Sequence, residues 1–165
     1  METMERVPDE RRRTARVLAD ASAAQLAERW REWHDRPEVE YLRGPESGIV
    51  MVQGRVGGTG DRFNLGEATV TRATVAVGSG AERGIGTAYV LGSHPEHAAL
   101  AAIFDGMLQT DARDRVMTSV IEPLEQQHRD RDLQARRDAR ATVVDFFTVA
   151  RENDGFGSAE DEDDE

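Results

Sequence analysis

The stretch Thr69-Val-Thr-Arg-Ala-Thr-Val-Ala-Val77, then Gly78-Ser79-Gly80, then Thr87-Ala-Tyr-Val-Leu91, decides the fold. Thr69, Val70, Thr71, Thr74, Val75 and Val77 are β-branched and suit a pleated, half-buried ribbon. Gly78, Gly80 and Gly84 mark a hairpin loop, and Thr87–Leu91 is the return strand. So short a link forces antiparallel pairing, because parallel strands need a crossover of about a dozen residues. Working outward, Val39-Glu40-Tyr41-Leu42 is a first short strand ended by a turn at Gly44-Pro45, and Ile49 to Val56 a second. The apolar segment Thr142-Val-Val-Asp-Phe-Phe-Thr-Val149 predicts a last strand.

Helices flank this sheet. Residues 9–34 predict two, the first opened by Asp9-Glu10, where acids favour the helix dipole. Ser22 and Gln25 have capping-box spacing, which starts the second helix at Ala23. Leu26, Trp30 and Trp33 form its apolar stripe, and Pro37 closes the segment. Pro95 stands at a favoured first helical position, and Leu100, Ile103, Phe104, Met107 and Leu108 make the strongest helical stripe. Asp105 reads as a solvated acid on that helix's polar face. Val116, Val120 and Ile121 predict a shorter helix ended by Pro123. Residues 124–140 are highly charged, a helix that is either solvent-laced or docked on another protein. The expectation is an α+β domain over residues 1–151: a small antiparallel sheet of about four to five strands flanked by N-terminal and C-terminal helices.

Composition sets limits. Of 165 residues 38% are apolar, and alanine is the commonest of them, so the core is thin. No apolar run is long enough to span a membrane as a helix, and no secretory leader pattern is visible. Without cysteine there are no disulfides, thiolate metal sites or cysteine nucleophiles, and a reduced cytoplasm is the expected home. All 21 basic residues are arginine, which excludes Walker-type and Schiff-base lysines. The net charge is −11, and residues 152–165 hold eight acids and no base, which predicts a disordered acidic tail. That sign opposes nonspecific nucleic-acid binding. Loss of lysine with excess acid fits either a salt-loving source or GC-driven replacement of lysine by arginine.

The densest cluster of candidate chemistry is Arg55-Val-Gly57-Gly58-Thr59-Gly60-Asp61-Arg62. Its glycines can turn several amides into one concavity, and Arg55 and Arg62 could clamp a phosphate. The competing reading is a tight turn whose glycines supply positive φ. The loop joins strand to strand and is neither a Walker loop nor a dinucleotide fingerprint. Arg72 lies inside a strand, facing solvent or paired with Glu67. His94 and His97 are three residues apart at a helix start, a weak metal signal without a third ligand; a cap or loop residue and a satisfied polar residue are the plainer readings. Asp145, between Val144 and Phe146-Phe147, must face water, an arginine or a partner, and a docking strand would explain it.

The run Arg55-Val-Gly-Gly-Thr-Gly-Asp-Arg-Phe-Asn-Leu-Gly-Glu-Ala-Thr-Val-Thr-Arg72 resembles the signature of the carbon–phosphorus lyase G-subunit family, PhnG. Gly86-Thr-Ala-Tyr-Val-Leu-Gly92, His97 with Asp105, and Val144-Asp-Phe-Phe-Thr-Val-Ala-Arg151 are similar to it as well. Val149 stands where methionine is expected, and the acidic tail is additional. The resemblance implies a non-autonomous subunit of a core complex with H, I and J subunits and an ATP-binding-cassette-like L subunit. That assembly transfers a phosphonate onto the ribose of ATP and releases adenine, the ribose 1-phosphonate 5-triphosphate synthase step of phosphonate catabolism. ATP with Mg would serve the complex, with zinc and an iron–sulfur cluster in other subunits and no cofactor or metal bound by this chain alone. On this reading Arg55, Gly57, Gly58, Thr59, Gly60, Arg62 and Arg72 would hold triphosphate or phosphonate, and Asp145, Phe146 and Phe147 would dock a partner. The alternative is a free-standing nucleotide- or phosphate-binding domain using the Gly57–Gly60 loop.

Overall fold

A computed structural model describes residues 3–80 and 83–141. The chain runs α1 (Thr3–Asp20), α2 (Ala23–Arg31), β1 (Val39–Arg55), β2 (Arg62–Val77), β3 (Gly84–Leu91), α3 (Pro95–Met107), α4 (Arg113–Val116), a π-turn (Met117–Ile121) and α5 (Glu122–Ala141). The architecture is α+β. Among the described residues the sheet has three antiparallel strands in the order β1-β2-β3, fewer than the four to five expected.

The difference in strand number has a local cause. The two strands predicted upstream of Val56 are one strand, β1, paired with β2 from Val39↔Val77 to Arg55↔Arg62. Gly44-Pro45 does not turn the chain; the register shifts between Arg43 and Glu46 instead. Proline cannot donate to a ladder, and an edge strand absorbs it as a bulge. The predicted last strand at 142–149, with Asp145, Phe146 and Phe147, and the acidic tail at 152–165 lie outside the described residues.

Among the described residues α3 and α1 pack on the sheet, and α2, α4 and α5 pack on other helices. Thr71, Ala73, Val75 and Val77 of β2 are buried against α3, as are Ala88 and Val90 of β3. The contact is close because the residues there are small. A Cβ on Gly86 would stand 1.8 Å from the Ala102 carbonyl oxygen, so only glycine fits. Gly84, expected in the loop, is the first residue of β3 and packs against Gly106 in the same way. Phe104 fills the space between α3 and the N-terminal segment, meeting Trp30 and Trp33 edge-on at 6.0 and 6.3 Å.

The predicted capping box at Ser22 and Gln25 forms with both bonds, and Pro95 sits at the start of α3. Three expectations change. Helix α1 begins at Thr3, before Asp9-Glu10. Pro123 does not end a helix; it occupies the first turn of α5, directly after the π-turn. The wider π-turn accommodates a proline ring and its missing donor at that junction. Asp105 is buried rather than solvated: it accepts the Thr87 N–H at 2.9 Å and pairs with Arg11 at 3.1 Å. With Arg11 and Gln109 donating to the Ile85 carbonyl, these side chains occupy the outer edge of β3.

Candidate functional site

Strand β3 ends at Leu91, opposite Val70, while β1 and β2 continue together to Arg55↔Arg62. Residues 49–69 therefore form a two-stranded arm extending about 23 Å beyond the three-stranded part, at roughly 3.3 Å per residue. Apart from half-buried Gly54, Gly60 and Ala68, its residues are exposed. The candidate loop is the tip of this arm.

The tip is built by its glycines. Val56–Gly58 is a single 3-10 turn in which Gly57 (φ 57°) and Gly58 (φ 83°) are left-handed, a conformation that side-chain-bearing residues rarely adopt. The Gly60 amide donates to the Val56 carbonyl at 2.8 Å, and the Val56 amide to the Asp61 carbonyl at 3.2 Å. The glycines supply the positive φ of a tight turn. Left-handed glycines in a row can also turn their amides toward one side, as an anion nest does. Yet the Val56 amide, one of the donors such a nest would aim at an anion, already closes the turn.

The charges are more telling. Arg55 and Arg62 stand directly opposite one another across the two strands. Like charges in that position repel, and an anion between them removes the penalty. One donor of Arg55 is committed to the Gly60 carbonyl at 3.2 Å. Gly57, Gly58, Thr59 and Gly60 lie beside this pair. Arg72 does not: it is ten residues along β2 from Arg62, roughly 33 Å at strand spacing. It pairs with Glu46 at 2.8 Å, not with Glu67. The seven predicted residues thus divide into a six-residue tip and a remote ion pair.

The histidines do not converge on a metal. His94 caps α3 without a side-chain bond, whereas His97 is buried with its Nε2 2.8 Å from the Leu18 carbonyl oxygen. Among the described residues no group of three or more His, Asp or Glu could hold a metal ion. None of the described helices is long and apolar enough to cross a membrane.

A second concavity, about 470 Å³, lies between α1 and α5, with Val17, Ala21 and Leu124 in its lining and arginines around them. Sequence reasoning missed it because it depends on how two helices distant in sequence pack. Arg13 donates Nε to Glu125 at 2.8 Å and a second bond from Nη2. The bond from Arg13 holds the Glu125 carboxyl below the usual glutamate range, and the same bond raises Arg13. Arg129 also approaches Glu125, at 3.7 Å. Some of the cleft's positive charge is therefore neutralised within the fold.

Comparison with known proteins points the same way as the tip sequence. Residues 9–152 match the family model described as phosphonate metabolism protein PhnG. The alpha-D-ribose 1-methylphosphonate 5-triphosphate synthase subunit PhnG of Rhizobium meliloti (strain 1021) is 42% identical over 145 residues, covering 88% of this chain and 91% of that relative.

Proposed function

The chain belongs to the PhnG family of phosphonate metabolism proteins, and from that premise we propose that it is a non-autonomous subunit of a ribose 1-phosphonate 5-triphosphate synthase. The observation that carries this reading is near full-length similarity to a relative whose name makes it such a subunit. The arrangement of the chain supports it. Its conspicuous feature is an arm suited to reaching another chain.

In the proposed reaction a phosphonate oxygen bonds to C1′ of the ATP ribose as the bond from C1′ to adenine breaks. Adenine leaves with a proton, and the 5′-triphosphate stays on the sugar. Both reactants are polyanions, so cations that draw them together lower the barrier to their encounter. The facing pair Arg55 and Arg62, with Gly57, Gly58, Thr59 and Gly60 beside it, would supply such charge at the edge of a site completed by other subunits. Arg72, in its ion pair with Glu46, would instead order the sheet. The partners on this reading are the H, I, J and L subunits in the cytoplasm. ATP would enter with Mg, and zinc and an iron–sulfur cluster would sit in other subunits.

The test is reconstitution. The remaining subunits, expressed with and without this chain, are assayed for adenine release from ATP and methylphosphonate. Dependence on the chain is expected, and an equal rate without it would overturn the subunit reading. In the assembled complex, Arg62→Ala should raise the KM for ATP about tenfold, the loss of one charge-assisted contact of roughly 1.4 kcal/mol. Unchanged KM and turnover would remove the arginine pair from the mechanism and leave the subunit reading standing.

A further inference from the structure

The cleft between α1 and α5 joins two chemistries. Its floor is apolar, with Ala21 and Leu124 buried and Val17 half-buried. Its rim is cationic, five arginines against three acids. Glu125 is taken by Arg13 and approached by Arg129, and Asp9 comes no nearer than 3.6 Å to Arg12. Arg16 of α1 and Arg131 of α5 are exposed and form no ion pair among the described residues. A ligand matched to this cleft carries an apolar group between anionic ones. The space, about 470 Å³, is in the range of sites that enclose a ligand-sized group.

The chain carries such a ligand itself. Past Ala141 it continues to Glu165. Residues 152–165 hold eight acids, no base and one large apolar residue, Phe156, set between Gly155 and Gly157. Glu152 and Asp154 precede the phenylalanine and the acidic run Glu160 to Glu165 follows it. Glycine on both sides leaves no neighbouring side chain to obstruct insertion of the ring. We infer that Phe156 and the acids around it dock in the α1–α5 cleft of the same chain, the ring on Val17, Ala21 and Leu124 and the carboxylates on Arg16 and Arg131. This does not rest on the subunit reading, because residues 153–165 lie beyond the part of the chain that matches the PhnG family.

Three arguments select this occupant. The first is reach. Leu124 lies 17 residues before Ala141, about 26 Å back along α5 at 1.5 Å per residue. Phe156 lies 15 residues past Ala141 and can span up to about 50 Å. Phe146 and Phe147 are only five and six residues past it and reach about 20 Å at most, short of the floor. The second is enclosure. From Asp132 to Ala139 every residue of α5 is exposed, so Arg136 and Arg137 offer charge in open water and no hollow for an aromatic ring. Ion pairs beside a buried ring are shielded from water and gain strength that open ones lack. The third is the covalent tether. It holds the tail near the cleft at an effective concentration of roughly millimolar, which favours the chain's own tail over that of a second copy at micromolar concentration.

The experiment uses the absence of cysteine: Ala159→Cys gives the full-length chain a single attachment point for a benzophenone. The labelled chain is irradiated at micromolar concentration in dilute buffer, and the cross-linked peptides are mapped. Most cross-links are expected within one chain, to residues 9–21 and 124–131. Adding Phe156→Ser should cut that yield about fivefold, and Arg16→Gln/Arg131→Gln about threefold. Molar KCl should act as the arginine substitutions do, since salt screens the charges and leaves the ring. Each variant should melt as the labelled parent does, which separates loss of docking from loss of fold. Cross-links gathered on residues 132–141 or on the strands would overturn the proposal, as would an undiminished yield in Phe156→Ser. Cross-links chiefly between two chains would overturn it in favour of a tail exchanged between copies.

Discussion

The two ends of the β1–β2 hairpin are made from the same two strands and meet opposite fates. At Val75–Val77 the β2 half of the ribbon lies beside β3 and under α3, and its residues are buried. Past Val70 the same ribbon has neither neighbour, and Val50, Val52 and Phe63 stand in solvent. The apolar content is similar, so local composition did not make the difference. What differs is the facing surface. α3 presents alanine and glycine to the covered end, which lets backbones approach, whereas the arm has no helix opposite it among the described residues. The covered end holds the fold together, and the arm presents a surface.

Substitutions can sharpen that contrast. The largest effect is expected from Gly86→Ala, whose new Cβ would meet the α3 backbone at 1.8 Å; a loss of about 3 kcal/mol or more by denaturant unfolding follows from forced separation of helix and sheet. Gly66→Ala, on the arm with nothing within 4 Å, should change stability by less than about 0.5 kcal/mol. Equal losses at both positions would erase the distinction between the two ends. Next comes Asp105→Ala, which strips the Thr87 N–H of its acceptor and Arg11 of its partner; about 2–3 kcal/mol is expected.

The smallest effect is pH-dependent and belongs to the helical side. Because the bond from Arg13 lowers the Glu125 carboxyl in the folded state, its contribution is fully present above the unfolded glutamate value of about 4.3. It is lost as pH falls through the depressed folded value. The pair is partly exposed, so the loss should stay below about 1 kcal/mol. Glu125→Gln should flatten that acid limb of the stability curve, and an unchanged limb would dissociate it from this pair.

Much of the covered end was legible in advance. The capping box at Ser22, the proline opening α3 and the β-branched run at Thr69–Val77 are local signals, and each formed where its spacing placed it. The misreadings share one cause. Gly44-Pro45 looks like a turn and Asp105 like a surface acid when judged by neighbours in sequence. Register with β2 made the first a bulge, and the docking of α1 and β3 against α3 buried the second. The candidate residues divide in the same way. Residues 55–62 were found together because they adjoin in sequence, and Arg72 was grouped with them although strand geometry sets it beyond the base of the arm, in the three-stranded part.

The sequence by itself determined the α+β class, the glycine-built tip with its flanking arginines, the absence of cysteine and lysine chemistry, and the family signature. These rest on residue type and short-range spacing, which a linear chain carries in full. Only the tertiary structure decided that β1 and β2 outrun β3, that among the described residues the helices cover one sheet face, and that Gly86 must be glycine. Each depends on which surfaces distant segments bring into contact, and burial is a property of such pairs rather than of either segment alone.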